Sequence, residues 1–241
     1  MQKYFLFLLV IFYSCQSMQN KPQTALPPAG SKGMITQRNA AAQLKPTLED
    51  FFADSSNIGR KSHNKIEIAW YSFPDSEYVV TRFYVKQPKG WSLKNEFKLR
   101  KDQYLDPNPD VSDLNGDGFN DVTFASLRAA RGANDVRTLF VYDPKNDGLI
   151  YVKNSEDYPN MQYNKELHCI DAFLVSGCCT TVFLRLEKDS LREFADVDRC
   201  DSLIVTTYDR KGKEKVILAK KADRTDFTRY ENYMPLKAYG E

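Results

Sequence analysis

Between Lys65 and Ala219 the chain is a succession of short β-patterned runs, each stopped by turn-forming residues, and this limits the fold more than any other feature. Ile66, Ile68 and Trp70 alternate with Glu67 and Ala69, which is the period-two signature of a half-buried strand. Residues 79–85 are β-branched and aromatic, and 91–99 form a weaker strand candidate. Further strands are expected at 121–125, 138–142, 149–152, 165–175, 180–186, 191–197, 203–208 and 215–219. Asp143-Pro144 and Asn146-Asp147-Gly148 turn the chain between two of them, and Asp209-Arg210-Lys211-Gly212 between the last two. Such spacing without intervening helical patterns argues a mainly β chain, an antiparallel meander arranged as a sandwich or a propeller-like sheet. One short N-terminal helix is expected over 46–53, where Leu48, Phe51 and Phe52 fall on roughly one face, with a further turn before it.

The sharpest motif is Asp113-Leu114-Asn115-Gly116-Asp117-Gly118-Phe119-Asn120-Asp121. Side-chain oxygens fall at its first, third, fifth and ninth positions, and glycine at the sixth makes the tight turn. Asp113, Asn115, Asp117 and Asp121, with the Phe119 carbonyl, are the ligand order of a calcium loop, because calcium takes six to eight hard oxygens. The glutamate that closes an EF-hand at the twelfth position is replaced by Phe124, and a strand pattern follows in place of a second helix. The loop resembles instead the calcium loops of FG-GAP and related extracellular β modules. It occurs once, which does not support a propeller assembled from its copies.

The N-terminus bears on the compartment. Lys3 precedes an apolar run from Tyr4 to Tyr13, too short to span a bilayer and suited to a secretory signal. Ser14-Cys15 follows and resembles the lipobox of bacterial lipoproteins, with residues 1–14 as signal peptide and Cys15 as the lipidated residue. Residues 15–37 are polar and rich in proline, glutamine and glycine, a composition that reads as a flexible tether. A single β-rich domain over 38–241 remains. The chain holds 34 Lys and Arg against 32 Asp and Glu, so it has no basic field with which to hold nucleic acid. Membrane attachment is expected through the lipid alone, in the cell envelope, facing the periplasm or the outside.

Four cysteines lie beyond Cys15: Cys169, Cys178, Cys179 and Cys200. In an exported chain an even number suggests two disulfides. If Ser176-Gly177-Cys178 is a three-residue hairpin tip, Val175 faces Cys179, and Ile170, Ala172 and Leu174 face Leu184, Val182 and Thr180, which gathers an apolar set on one side. With Glu187–Ser190 as the next loop, Leu186 faces Leu191, Val197 faces Thr180, and Cys200 arrives beside the tip. A bridge from Cys200 to Cys178 or Cys179 follows. A bridge from Cys169 to the tip needs a break or bulge in its strand; otherwise Cys169 is a reduced, buried thiol.

No nucleophile–base pair stands out. His168 neighbours Cys169, and adjacent strand residues point to opposite faces, while His63 lies in a polar Ser-His-Asn stretch. Asp196 and Asp198 share one face of a strand and are the acidic pair that a hydrolase would use. The aromatic surplus (15 Phe, 14 Tyr, 2 Trp) suits core packing, with Tyr71, Tyr84 and Trp91 as candidates for a protein- or glycan-binding patch.

Residues 113–122, 137–144, Tyr158-Pro159 and the hairpin around Gly177 together resemble a family of bacterial periplasmic lipoproteins. That family joins one calcium loop to a β domain similar to the periplasmic inhibitors of lysozyme, and some members are immunity proteins against peptidoglycan-cleaving effectors. The resemblance implies a lipid-anchored binding protein rather than an enzyme, with calcium as its ion and a lysozyme-like peptidoglycan hydrolase as its protein partner. The matching contact loop is Ser176, Gly177, Thr180 and Thr181. The alternatives are an envelope hydrolase using an acidic pair and a glycan-binding module.

Overall fold

A computed structural model describes residues 45–74, 76–101, 105–222 and 227–240. The expected signal peptide, Cys15, the tether and the turn before residue 46 lie outside the described residues. The chain forms three antiparallel meanders and a C-terminal hairpin. The first sheet is β1 (Thr47–Asp54), β2 (Asn64–Phe73), β3 (Ser76–Gln87) and β4 (Gly90–Lys101), in that order. The second is β5 (Asp110–Ser112), β6 (Asp121–Ala129), β7 (Asn134–Asp143) and β8 (Gly148–Val152). The third runs from β9 (Gln162–Asn164) through β10 (Cys169–Val175), β11 (Cys179–Glu187), β12 (Ser190–Arg199) and β13 (Ser202–Tyr208) to β14 (Glu214–Lys221). The hairpin pairs β15 (Tyr230–Tyr233) with β16 (Leu236–Ala238).

Side-chain alternation stacks these sheets as layers. Ile66, Ile68, Val79 and Phe83 of the first sheet meet Phe124, Phe140 and Tyr142 of the second. On the far side of β7, Leu139 and Val141 meet Ile170, Ala172, Val182 and Leu184 of the third sheet. The middle strand is therefore apolar on both faces, which is why Leu139–Tyr142 reads as an unbroken hydrophobic run. The other face of the third sheet, with Phe183, Ala195, Val197 and Val205, is covered by Tyr230 and Ala238 of the hairpin. Each fully buried Phe or Leu contributes about 1.5–3 kcal/mol, so the arrangement rests on these three cores.

The meander matches the sequence expectation, and it resolves into a layered sandwich. The segment expected as a helix over 46–53 is instead strand β1. Phe52 packs into the first core while Phe51 faces outward, 52% exposed. Eight residues make a marginal helix alone, whereas pairing along β2 satisfies their backbone and buries one phenylalanine. The β10–β11 register is as expected, from Ile170 opposite Leu184 to Val175 opposite Cys179. Leu186 faces Leu191, yet Val197 faces Thr181 rather than Thr180. Phe183 pairs with Ala195 and Leu184 with Glu193, which leaves Phe194 as the extra residue of a β-bulge. That one residue reverses the alternation in β12 and brings Glu193 and Asp196, three apart, to the same face.

Candidate metal centre and contact surfaces

The loop between β5 and β6 is wound on its own side chains. Asp113 Oδ1 accepts the Gly116 and Asp117 N–H groups at 2.7 and 3.1 Å, and its Oδ2 accepts Gly118 N–H at 2.8 Å. Asn115 Oδ1 accepts Asp117 N–H at 2.9 Å, and Asp117 Oδ1 accepts Phe119 N–H at 2.9 Å. Gly116 and Gly118 take φ of +75° and +89°, the left-handed region that favours glycine. A Cβ on Gly116 would lie 2.3 Å from the Tyr163 ring, so close approach demands glycine there as well.

Asp121 opens β6 with 1% exposure. Its Oδ2 accepts the Leu114 and Asn115 N–H groups at 3.1 and 3.3 Å, and its Oδ1 accepts Tyr142 N–H at 3.0 Å. Burial pushes this carboxyl up to about 7; the Tyr142 and Leu114 N–H groups oppose the rise, and the Asp117 and Asp113 charges add to it. Among the described residues no lysine or arginine pairs with any of the three acids. The donor set of carboxylates, an amide oxygen and the Phe119 carbonyl is the chemistry calcium takes. Taken one oxygen each, the three carboxylates do not all lie within 4.8 Å of one another; the loop amides hold them. Among the described residues the one cluster at that spacing is Cys178, Asp198 and Cys200, where both sulfurs are committed to a disulfide.

The loop is braced from two sides. The Phe119 ring packs on Tyr142 at 5.4 Å, and Leu114 enters the second core. Gly59 N–H donates to the Asn120 carbonyl at 3.0 Å, which ties in the β1–β2 connection. That connection carries a polar knot that sequence reading missed. Asp147 accepts Asn64 Nδ2 at 2.9 Å, the Tyr142 hydroxyl at 2.7 Å and His63 Nε2 at 3.2 Å. Burial works to raise the Asp147 carboxyl, but these bonds and the Arg60 charge outweigh it and hold it low. The sequence signal was an aspartate in a turn ahead of Gly148, with Tyr142 five residues before it but Asn64 and His63 lying 83 and 84 residues away in the chain.

The third sheet carries the cysteines and the expected contact loop. Cys178 is bridged to Cys200 with Cα atoms 5.0 Å apart, while Cys169 and Cys179 are buried thiols. The expected clamp beside the tip therefore forms, through Cys178. Burial pushes the Cys169 thiol up to about 12, which keeps it protonated and unreactive. Ser176 and Gly177 are exposed at the tip. Thr180 Oγ1 instead donates to Asp198 at 2.9 Å. Thr181 does not join the contact loop: its position faces the third core with 0% exposure, and its hydroxyl accepts Tyr230 N–H at 3.0 Å.

His168 Nδ1 meets the Tyr163 hydroxyl at 2.9 Å beside the acidic loop. The carboxylates on β12 gain a member through the bulge. Tyr208 donates to Asp196 at 2.6 Å, and burial followed by the Asp196 charge pushes the Glu193 carboxyl up to about 7. The pair is therefore Glu193 with Asp196, while Asp198 is taken by Thr180. On the outer face of the first sheet Tyr84 and Trp91 come together about Lys65 Nζ, 4.5 and 5.8 Å from their ring centres, whereas Tyr71 lies apart from them, stacked on Tyr78 at 5.1 Å.

No protein-family model matches the chain, and no curated protein matches it. One similar solved structure is described as "Structure of a Xanthomonas Type IV Secretion System related protein". It is 12% identical with a TM-score of 0.42, over 70% of this chain and 93% of that one, a likeness too slight to carry an argument.

Proposed function

We propose that the chain is a binding protein of the bacterial cell envelope, held to a membrane by lipid on Cys15 and stabilised by one calcium ion. In this reading the β10–β11 tip meets a protein partner, a lysozyme-like peptidoglycan hydrolase, and blocks it. The observation that supports it is the tip itself. Ser176 and Gly177 are exposed, and the adjacent Cys178–Cys200 bridge fixes them before any partner arrives, which lowers the ordering cost of binding. Asp113, Asn115, Asp117, Asp121 and the Phe119 carbonyl would hold the calcium ion, which would neutralise the acids that now repel one another.

Titrating the chain against lysozyme-type muramidases tests the reading. Stoichiometric inhibition that Ser176→Trp removes, with melting unchanged, supports it; full muramidase activity at excess chain refutes it. The hydrolase alternative rests on the Glu193–Asp196 pair with Tyr208. It requires that the chain alone release soluble fragments from peptidoglycan and that Glu193→Gln stop the release.

A further inference from the structure

The outer face of the first sheet has a chemical character that the inhibitor reading leaves unused. On β3, Val79, Thr81, Phe83 and Val85 face the core, so Tyr78, Arg82, Tyr84 and Lys86 face out. Arg100 stands opposite Tyr78, Lys98 opposite Val80 and Glu96 opposite Arg82, and Trp91 pairs with Lys86 beyond a bulge. Exposed apolar side chains are spread along it too, with Phe73 at one end and Trp91 and Leu93 at the other; these and Phe51 are 39–52% exposed. Aromatic rings and ammonium groups alternate, with Lys65 Nζ 4.5 Å from the Tyr84 ring centre and Lys98 Nζ 3.9 Å from that of Tyr78.

The charge along this face is uneven. In the middle, Arg82 pairs with Glu96 and Lys65 with Glu67, each at 2.6 Å. Lys98 and Arg100 have no acidic salt-bridge partner among the described residues. They flank an open cavity of about 550 Å³ whose other walls include Pro46, Phe73, Tyr78 and, at one side, Glu77. Two unpaired cations beside flat apolar walls suit a ligand that is itself half apolar plane and half anion.

We propose that this face binds an acidic polysaccharide, the cavity taking one carboxylate-bearing sugar. The C–H face of the sugar ring lies against Phe73 and Pro46, and its carboxylate meets Lys98, which stands over Tyr78, and Arg100. A single-stranded nucleic acid fits less well, because it stacks successive bases on exposed ring faces, and Tyr78 and Tyr84 already carry Tyr71, Lys98 and Lys65 against theirs. An acidic peptide adding as a strand would use the open edge of β4 rather than this face, and polyglutamate in the test separates the two. The surface and the assay differ from those of the hairpin tip, so muramidase inhibition succeeds or fails independently.

The test uses the full chain and alginate, a polyuronate, at low and high salt, with dextran as the neutral polymer. Alginate should bind saturably, salt should weaken it, and dextran should not bind. Lys98→Glu/Arg100→Glu should weaken alginate binding by at least about tenfold. Lys211→Glu/Lys213→Glu, in the loop after β13, should leave it unchanged. Both pairs are exposed, and equal melting temperatures verify folding. The proposal is overturned by absence of alginate binding at low salt, by an equal loss in both double variants, or by polyglutamate or oligothymidylate binding as tightly as alginate.

Discussion

Asp171 is the residue whose removal should cost the third sheet most. It lies on β10 with 0% exposure and accepts Arg229 Nε at 2.7 Å, Asn164 Nδ2 at 2.9 Å and the Tyr239 hydroxyl. These bonds fasten the C-terminal segment onto the sheet. Asp171→Ala leaves the Arg229 guanidinium, only 20% exposed, without its counter-ion. Breaking one side of a buried pair costs about 3–5 kcal/mol. Arg229 retains the Asn160 carbonyl at 2.8 Å and some water access, which places the loss near the lower end, about 3 kcal/mol. For a domain of this size that corresponds to a fall in Tm of about 6–12 °C. Thermal and urea melts measure it, and hydrogen exchange should show residues 227–239 opening first. Salt should change little, since a buried pair is screened weakly. Asp171→Leu/Arg229→Leu should recover most of the loss, because no charge is then stranded. A loss below about 1 kcal/mol, or one abolished by 1 M salt, would mean that the pair is not the fastening inferred here.

Four further outcomes are expected. Asp117→Ala should abolish the rise in Tm on adding calcium, a stabilisation of about 2.7 kcal/mol at a hundredfold excess over Kd; a melt indifferent to calcium and chelator removes the ion from the reading. Cys178→Ser/Cys200→Ser should cost up to about 3.4 kcal/mol, the chain-entropy value for a separation of 22 residues, measured by urea unfolding. Glu193 has a carboxyl raised above its unfolded value of 4.5, so the folded state holds a proton that the unfolded state releases, and stability falls as pH rises from about 4.5 to 7. Urea midpoints at pH 5 and 8 should show a smaller fall for Glu193→Gln than for the parent. Gly116→Ala should destabilise by at least about 1–2 kcal/mol, since it combines left-handed backbone with overlap on Tyr163.

Strands were legible where two local signals agreed. The β10–β11 register could be read because a Ser-Gly tip and an apolar alternation specify the same pairing. Strand β1 was not legible, because Leu48, Phe51 and Phe52 satisfy a helical spacing and only pairing along β2 decides otherwise. The bulge at Phe194 leaves no local mark: Arg192, Glu193 and Phe194 are all compatible with an unbroken strand, and the shift comes from packing. Hence the acidic pair was read as Asp196 with Asp198, and Glu193 was overlooked. The acidic loop was visible whole, since its ligand spacing lies within nine residues. The Asp147 and Asp171 networks were invisible, because partners such as Asn64 and Arg229 are far away in the chain.

The middle strand β7 belongs to two cores at once, with Phe140 and Tyr142 on one side and Leu139 and Val141 on the other. The acidic loop repeats this, giving Phe119 to one core and Leu114 to the next. A layered molecule of this kind has no seam along which one sheet can melt while its neighbour survives. The first two cores then form one cooperative unit, and a proteolytic dissection into separate sheets would yield fragments that do not hold their structure.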